Sequence, residues 1–299
     1  MKEQRKTSLA MAGALSANVI FGFSFLFTKL ALQCGTPIQL LAYRFTFAFL
    51  LMNVIALATQ RKPALKGKPL GSLLLMGLCQ PLIYFVCENY GMLYTNTTFA
   101  GVLIALVPIA AMGLGVLFLG EKTSWRQATC CVISVAGVVW MAMKNRSEGT
   151  VQLVGILLLI GAVLSAAGFN ILSRKTSAIF SAFERTYVMF FLAMAAFDLW
   201  AILECRGNFA ELFAPLKHQS FLIAVLYLGG ASSVGAYWLY NSATTYLSAA
   251  RASSFSSVIT VVTLFAGVVF LKESFDVSSL IASVIILLGI WGVQKECTL

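Results

Sequence analysis

Three ionisable residues, Lys29, Arg44 and Glu88, lie inside long apolar stretches of this chain, where charges are rare and costly. A carboxylate and two cations at similar depth can neutralise one another, but they can also bind a charged solute or a proton. Both interpretations stay open: a charged lining of a binding site with Glu88 as a proton or cation site, or a structural ion-pair cluster. Asp198 lies nearer the end of its stretch, where a charged group can reach water.

Two of the apolar stretches, PLIYFVCENYGMLYT and SSVGAYWLYNSATTY, are the most polar and aromatic. On a helix, Tyr84 and Glu88 share one face, and so do Tyr237 and Asn241. Aromatic walls with a few polar groups suit an amphiphilic organic solute, although aromatic residues are also typical of membrane interfaces. The predicted solute-binding residues are Tyr84, Glu88, Asn89, Tyr237, Trp238, Asn241, Lys29 and Arg44.

The sequence contains little that could support catalysis or hold a metal. Its single histidine is His218, and its seven cysteines are scattered in a way that predicts no disulfide framework. No spacing typical of a metal or phosphate-binding motif is present. We therefore predict that the chain is not an enzyme and has no cofactor or metal. The net charge of +10 is spread over short connections, so no nucleic-acid partner is predicted.

The elements that carry these residues are predicted to cross a lipid bilayer. The chain is 60% hydrophobic and only 11% charged, with a mean hydropathy of +0.89, whereas about a quarter of a soluble domain is charged. A helix needs about 20 apolar residues to span the hydrocarbon. The predicted fold is therefore an all-α membrane protein with ten transmembrane helices, at about 9–32, 38–59, 70–94, 98–119, 127–143, 152–172, 182–204, 219–246, 251–271 and 277–294.

The segment from 89 to 141 matches the segment from 241 to 293 at eleven positions when the two are aligned without gaps. Glu121 and Glu273 are one of these pairs. Because each half holds an odd number of spans, two copies must lie in the membrane with opposite orientation, as in many secondary transporters. We therefore predict two inverted five-helix repeats, 1–146 and 147–299.

Several stretches of the chain resemble the EamA-type, ten-helix members of the drug/metabolite transporter superfamily. They are FGFSFLFTKLAL, TPIQLLAYRFTFAFLL and ENYGMLYTNTTFAGVLIALVPIAAMGLGVLFLGEK. The second copy departs from the family pattern at Thr260, where a proline is usual, so a bend in the ninth helix is not assured. The resemblance implies a secondary transporter of a small organic metabolite, such as an amino acid or a related amphiphilic solute.

We expect this transporter to work by alternating access between the two repeats, either coupled to protons or passive, and as a monomer or homodimer in lipid. The alternative is a non-transporting receptor or assembly protein built on the same bundle. No feature of the sequence identifies the solute. Short connections make the bacterial inner membrane the default location.

The distribution of basic residues predicts that both termini are cytoplasmic. With that orientation, thirteen Lys and Arg residues lie on the inner side and five on the outer side, as the positive-inside rule requires. The most basic connection is QRKPALKGKP. A single cysteine at 61–68, in a cysteine-free chain, should react only with reagent that reaches the cytoplasmic side. Labelling from the outside would show that the predicted orientation is wrong.

Overall fold

A computed structural model describes residues 2–61, 63–119, 124–147, 149–247, 255–273 and 276–296. Within these residues the chain forms ten main helices, and each predicted span coincides with one of them. Eight are long and apolar enough to cross a membrane, and α9 and α10 are shorter apolar helices. The bounds are α1 (Lys2–Ala31), α2 (Pro37–Ala58), α3 (Gly71–Leu93), α4 (Thr97–Ile104, then Val107–Leu119), α5 (Trp125–Ser147), α6 (Leu153–Thr176), α7 (Ala182–Glu204), α8 (Gln219–Tyr246), α9 (Ser256–Phe270) and α10 (Val277–Glu296). The predicted all-α, ten-helix fold is confirmed.

The helices α2 and α7 begin with the same local motif. The Thr36 hydroxyl accepts a hydrogen bond from the Gln39 backbone N–H at 3.2 Å, and the Gln39 side chain accepts one from the Thr36 N–H at 2.9 Å. Ser181 and Glu184 make the same reciprocal pair at the start of α7. Such capping boxes satisfy backbone donors that a helix start leaves unpaired. The two boxes are 145 residues apart and mark equivalent points of the two repeats.

Both α3 and α8 depart from regular α-helix near their centres. In α3 the departure covers Leu78–Ile83, and Gln80 there has φ −144° and ψ 120°. The cause is Pro81, because a proline forces the preceding residue out of the α-helical region and removes a backbone donor. In α8 the departure covers Tyr227–Ala236, which is wound as π-helical turns and is rich in glycine and serine. The two breaks overlap when the repeats are aligned at an offset of 152 residues.

The helices α4 and α9 differ at Thr260, the position at which the sequence left a bend in the ninth helix open. Helix α4 is interrupted after Ile104, just before Pro108. Helix α9 runs without interruption over its described residues, and Thr260 occupies the position equivalent to Pro108 at the repeat offset of 152 residues. The Thr260 hydroxyl donates a hydrogen bond to the Gly101 carbonyl oxygen at 3.0 Å. It therefore joins α9 to α4, which a proline could not do because it lacks a donor.

Equivalent helices α5 and α10 pack against each other in opposite directions. A Cβ at Gly137 would meet the Ile286 side chain at 2.7 Å, and one at Gly289 would meet the Cys130 carbonyl oxygen at 2.8 Å. The two helices are thus antiparallel. Ser134 donates a hydrogen bond at 3.2 Å to the carbonyl oxygen of Ile286, its own counterpart in the repeat. Since a residue contacts its counterpart only near a symmetry axis, the two halves are inverted copies.

The N-terminus of α10 is tied to the far end of α5 by charge. Asp276 accepts a hydrogen bond from the Ser279 N–H at 3.0 Å, which caps α10, and forms an ion pair with Lys144. The Lys144 ammonium and the Ser279 donors hold the pKa of the Asp276 carboxyl well below its usual range. The carboxylate is thus ionised at neutral pH.

Helices from the two halves pack against each other throughout the bundle. Helix α1 contacts α8 and α9, and its counterpart α6 contacts α3 and α4, while α2 packs on α7. Gly22 lets α1 approach Val262 of α9 closely, and Gly91 lets α3 approach Leu159 of α6, as small residues do in membrane helices. These contacts join eight of the ten helices across the two halves.

Replacing Gly289 should destabilise the protein through the contact between α5 and α10. A Cβ there would lie against the backbone of Cys130 and the side chain of Ser134. We expect Gly289→Ala to cost about 1–3 kcal/mol, as overpacking usually does, and to lower the melting temperature in detergent. Gly113→Ala is the matched control, since a Cβ at Gly113 would meet no described atom within 4 Å. Equal melting temperatures would contradict this packing.

Candidate functional site

A cavity of about 80 Å³ lies at the centre of the bundle, where the breaks in α3 and α8 meet. It is lined by residues of α1, α2, α3, α4, α6, α8 and α9. Its walls are largely aromatic: the ring of Tyr237 lies 5.0 Å from that of Phe21 and 6.1 Å from that of Phe169, measured between centroids. Apolar walls with a few convergent polar groups are typical of sites for organic molecules.

Four of the eight predicted site residues line this cavity, namely Arg44, Tyr84, Glu88 and Tyr237. They come from α2, α3 and α8, so helices far apart in sequence bring them together. The predicted sharing of one helical face by Tyr84 and Glu88 agrees with the structure, because the Tyr84 hydroxyl donates a hydrogen bond to the Glu88 carboxylate at 2.9 Å.

Arg44 is a buried cation that neutral groups hold in place. Its Nε donates a hydrogen bond to the Ser233 hydroxyl at 2.9 Å, and its Nη2 donates one to the Ser232 hydroxyl at 3.3 Å. The guanidinium lies over the ring of Phe85, 4.1 Å from its centroid, which is a favourable cation–π arrangement. Among the described residues, no carboxylate lies within ion-pair distance of Arg44. Arg44 therefore keeps an unneutralised charge at the cavity wall.

Glu88 faces the same cavity and is 95% buried, since only 5% of its surface is exposed. Its hydrogen-bond partner among the described residues is Tyr84. Arg44 and Glu88 thus share one cavity without forming a direct ion pair, and each is compensated only by neutral dipoles and by the other's field. The geometry leaves both charges able to interact with a molecule between them.

Lys29 does not join Arg44 and Glu88. Its ammonium donates hydrogen bonds to the carbonyl oxygens of Met92 at 2.8 Å and Thr95 at 2.9 Å, at the C-terminus of α3. Arg174 does the same at the end of α8, where its Nη1 donates to the Thr244 carbonyl oxygen at 3.0 Å. A cation is favoured there because the last carbonyls of a helix are unpaired and carry partial negative charge. The assignment of Lys29 to the solute site stays a prediction.

Glu273 caps the N-terminus of α4. Its two carboxylate oxygens accept hydrogen bonds from the backbone N–H groups of Thr97 at 2.7 Å and Thr98 at 2.8 Å. A carboxylate is stabilised by the free donors and positive end of a helix N-terminus. Glu273 therefore joins the second half to α4 of the first half. Its counterpart in the repeat, Glu121, lies outside the described residues.

Asn241 lies beside the cavity in a separate polar network centred on Arg185. The Arg185 guanidinium donates hydrogen bonds to the Asn241 carbonyl oxygen at 2.5 Å and to the Ser173 carbonyl oxygen at 2.8 Å. The Asn241 amide donates to the Thr186 hydroxyl at 3.0 Å and accepts from the Ser173 hydroxyl at 3.1 Å. These bonds tie α6, α7 and α8 together at the end of the bundle where α6 leads into α7, which we name the α6–α7 end.

The two remaining predicted residues also lie away from the cavity lining. Asn89 is fully buried, its amide donates to the Phe85 carbonyl oxygen at 2.9 Å, and its Oδ1 has no hydrogen-bond partner within the described parts of the chain. Trp238 is half-buried and its ring lies 6.3 Å from that of Phe183. A role for Asn89, Trp238 or Asn241 in binding solute stays a prediction.

Sequence reasoning missed most of the cavity lining, including the amide side chains of Asn18, Gln80 and Asn170, and it missed one buried cation. Gln80 and Asn18 line the cavity with side-chain amides, and Arg185 is fully buried. The sequence could have indicated Gln80, because it precedes Pro81 in an apolar span and a proline breaks a helix at the residue before it. Arg185 stands close to the start of α7, where charge commonly reaches water, and only the packing of α6 and α8 buries it.

The comparison with family models decides the identity of the fold. The model described as the EamA-like transporter family matches residues 8–143 and, separately, residues 153–294. The chain belongs to the EamA-like transporter family. Each match covers one five-helix half, so this EamA protein is a multi-pass membrane transporter with a duplicated unit. The boundary between the halves at 146 stays a prediction.

Several of the curated relatives of this EamA protein are named as transporters. The "uncharacterized transporter YcxC" of Bacillus subtilis is 33% identical over 286 residues, which cover 95% of this chain and 92% of that protein. An "uncharacterized transporter" of Archaeoglobus fulgidus is 26% identical over 94% of this chain and 98% of its own. The protein PagO of Salmonella typhimurium is 28% identical over 77% and 74%.

A solved crystal structure has the same fold. It superimposes with a TM-score of 0.70 over 96% of both chains, at 15% sequence identity. At that identity the likeness concerns the fold alone.

Proposed function

We propose that this EamA protein is a secondary transporter of a small amphiphilic organic solute, such as an amino acid, and that the solute binds in the central cavity. One observation carries the proposal: Arg44 and Glu88 open into one aromatic-walled cavity without forming a direct ion pair. Family membership supports transport over the alternative of a non-transporting receptor or assembly protein.

The charges in the cavity favour a solute that carries both signs. Burying a charge without a partner is costly, so Arg44 and Glu88 are each more stable when an opposite charge approaches. A zwitterion would place its carboxylate at Arg44 and its ammonium at Glu88. Its apolar part would contact the rings of Phe21, Phe169 and Tyr237, which line the same space.

The size of the cavity implies that transport requires the bundle to change shape. Sites for organic ligands commonly enclose about 300–1,000 Å³, whereas this cavity measures about 80 Å³. One ordered water needs about 10–15 Å³, so the cavity holds a few waters or part of a small solute. The described conformation therefore leaves too little room for a whole solute at the site.

The second half of the bundle has bonds between α6 and α8 that support closure at the α6–α7 end. The Tyr240 hydroxyl donates to the Asn170 side-chain oxygen at 3.0 Å, and the Ser173 hydroxyl donates to the Asn241 side-chain oxygen at 3.1 Å. Both bonds are short and direct, so α6 and α8 must lie close together there. We name this pair of bonds the α6–α8 latch.

The first half lacks the equivalents of these two bonds, although Lys29 joins α1 to the end of α3 as Arg174 joins α6 to the end of α8. At the repeat offsets of 145 residues for α6 and 152 for α8, the latch residues Tyr240 and Asn170 correspond to Glu88 and Phe25, which cannot pair as the latch does. Asn241 and Ser173 correspond to Asn89 and Thr28, and Asn89 Oδ1 is unpartnered within the described chain. This difference between inverted halves supports alternating access, in which each end closes in turn. The orientation with cytoplasmic termini, the bacterial inner membrane and the monomeric or dimeric state belong to the same proposal.

Transport by the purified protein in liposomes tests the proposal. We expect uptake of zwitterionic amphiphiles, and we expect Arg44→Met and Glu88→Gln each to lower kcat/KM at least ~30-fold, because each leaves a buried charge unpaired at a cost of about 2 kcal/mol or more. Asp198→Asn is the matched control: Asp198 accepts a hydrogen bond from Thr46 at 2.8 Å and lies outside the cavity lining. The absence of uptake from a broad panel, or full activity of both variants, would overturn the proposal.

The same liposomes decide whether Glu88 carries a coupled proton. With an imposed pH gradient, a proton-coupled wild type should accumulate solute, and Glu88→Gln should lose the response to the gradient. A buried carboxylate without an ion pair is the usual carrier in such systems. Wild-type uptake that ignores the gradient would show passive transport, and a variant that still responds would exclude Glu88 as the carrier.

Removing the α6–α8 latch should open the α6–α7 end. The double variant Tyr240→Phe, Ser173→Ala loses both donors, each worth about 0.5–1.5 kcal/mol. The readout is a single cysteine at the cavity residue Ala166, labelled with an impermeant reagent added to the α6–α7 side, and we expect labelling about tenfold faster. Ser165→Ala is the control, since the Ser165 hydroxyl bonds the Cys79 carbonyl oxygen of α3 and not α8. Unchanged labelling in the double variant would contradict the gating role.

A further inference from the structure

We infer that Gln80 determines the specificity of the central site by hydrogen-bonding an uncharged polar group of the solute, such as a hydroxyl or a carboxamide. This inference rests on the proposed transport function. It concerns a residue different from the two charged groups that carry that function.

The backbone presents Gln80 to the cavity. Its φ of −144° and ψ of 120° are those of an extended residue inside a helix, as expected before a proline. Gln80 precedes Tyr84 by four residues and Glu88 by eight, and all three side chains belong to the cavity lining. Pro81 sets the backbone geometry at Gln80, so this geometry does not depend on any hydrogen bond of the Gln80 side chain.

The Gln80 side chain is buried without a protein partner. Only 8% of its surface is exposed, and neither its amide nitrogen nor its oxygen makes a hydrogen bond to a residue within the described ranges. The hydroxyl oxygen of Ser232, its counterpart across the repeat, accepts hydrogen bonds from the Ser24 hydroxyl at 2.7 Å and from Arg44 Nη2 at 3.3 Å. Buried polar side chains nearly always have a partner. The free carboxamide at the cavity wall therefore indicates a group that binds something in the cavity.

A merely structural role for this side chain is not supported by the contacts around the break. The carbonyl group freed next to it, that of Cys79, accepts a hydrogen bond from the Ser165 hydroxyl at 2.6 Å. That bond joins α3 to α6 through the backbone alone. Removing the Gln80 carboxamide should consequently leave the break intact.

The chemistry of a carboxamide defines the class of group it recognises. It can donate two hydrogen bonds and accept two, so it can pair with a hydroxyl or an amide of the solute. A site built to make such a bond discriminates strongly against an analogue that lacks the group, whereas an apolar wall discriminates weakly. Charge at Arg44 and Glu88 then selects the solute's head group, and Gln80 selects its side chain.

The first test asks whether position 80 faces the solute path, and it needs no transport. In a chain with all native cysteines removed, Gln80→Cys should react at least tenfold faster with a small, charged thiol reagent than a chain whose only cysteine is the native Cys79. Cys79 is the matched control because it is the adjacent residue, is half-buried and does not line the cavity. Equal or slower labelling of Gln80→Cys would overturn the inference.

The second test measures selectivity with near-isosteric pairs, threonine against valine and glutamine against methionine. We expect the wild type to prefer the polar member of a pair, and Gln80→Met to reduce that ratio of kcat/KM about tenfold while changing uptake of the apolar member less than about twofold. Gln80→Asn, which keeps the carboxamide, should retain part of the preference. A merely structural role would instead lower uptake of both members equally, and an unchanged ratio would overturn the inference.

The two tests separate this inference from the proposed function. If the wild type takes up no solute, the proposed function fails, and the labelling of Gln80→Cys still decides whether the side chain faces the cavity. If the wild type transports and the selectivity ratio of Gln80→Met is unchanged, only the inference fails.

Discussion

A polar group in the hydrocarbon of a membrane finds no water, so it must be partnered within the protein, and the architecture of this chain follows from that requirement. At the helix ends, Lys29 and Arg174 bind the last carbonyls of α3 and α8, and Glu273 binds the first donors of α4. At the centre, breaks in two equivalent helices place polar groups around one cavity. Polar chemistry is thus concentrated at the helix ends and around this cavity, and single bonds such as that between Ser134 and Ile286 join helices elsewhere.

Because the two halves are copies of one unit, helix breaks and helix contacts occur at equivalent positions in both. The side chains at several of these positions differ between the halves. Helices α3 and α8 break at equivalent positions, and α5 and α10 meet through equivalent residues. Within that symmetry the two halves carry different side chains: Glu88 of one half corresponds to Tyr240 of the other. The shared backbone therefore creates a cavity between equivalent helices, and unlike side chains place Arg44 and Glu88 on the same lining as the bonded pair Tyr240 and Asn170.

Most of the fold follows from local and compositional features of the sequence. Runs of about 20 apolar residues predict the ten helices. Because each repeat has an odd number of helices, the second repeat must have the opposite orientation in the membrane. These features are local or internal to the chain, so they can be read without knowing which helices touch. The effect of Thr260 was not accessible in this way, since its hydroxyl matters only because Gly101 of α4 lies opposite.

The lining of the candidate cavity was predicted only in part. Arg44 and Glu88 were found because charge in an apolar span is rare, and Tyr84 and Tyr237 because helical spacing shows which residues share a face. Spacing does not show which helix lies opposite that face. Packing alone therefore decided that Lys29 binds helix-end carbonyls and that Asn241 joins the Arg185 network. Pro81 predicts a break at Gln80, but only packing brings the Gln80 carboxamide to the cavity, where it has no hydrogen-bond partner among the described residues. Amino-acid type and order determined the membrane fold and showed which charged residues lie in apolar spans. The contacts among the seven helices that line the central cavity decided which of those residues face it, because spacing along one helix does not show which helix lies opposite.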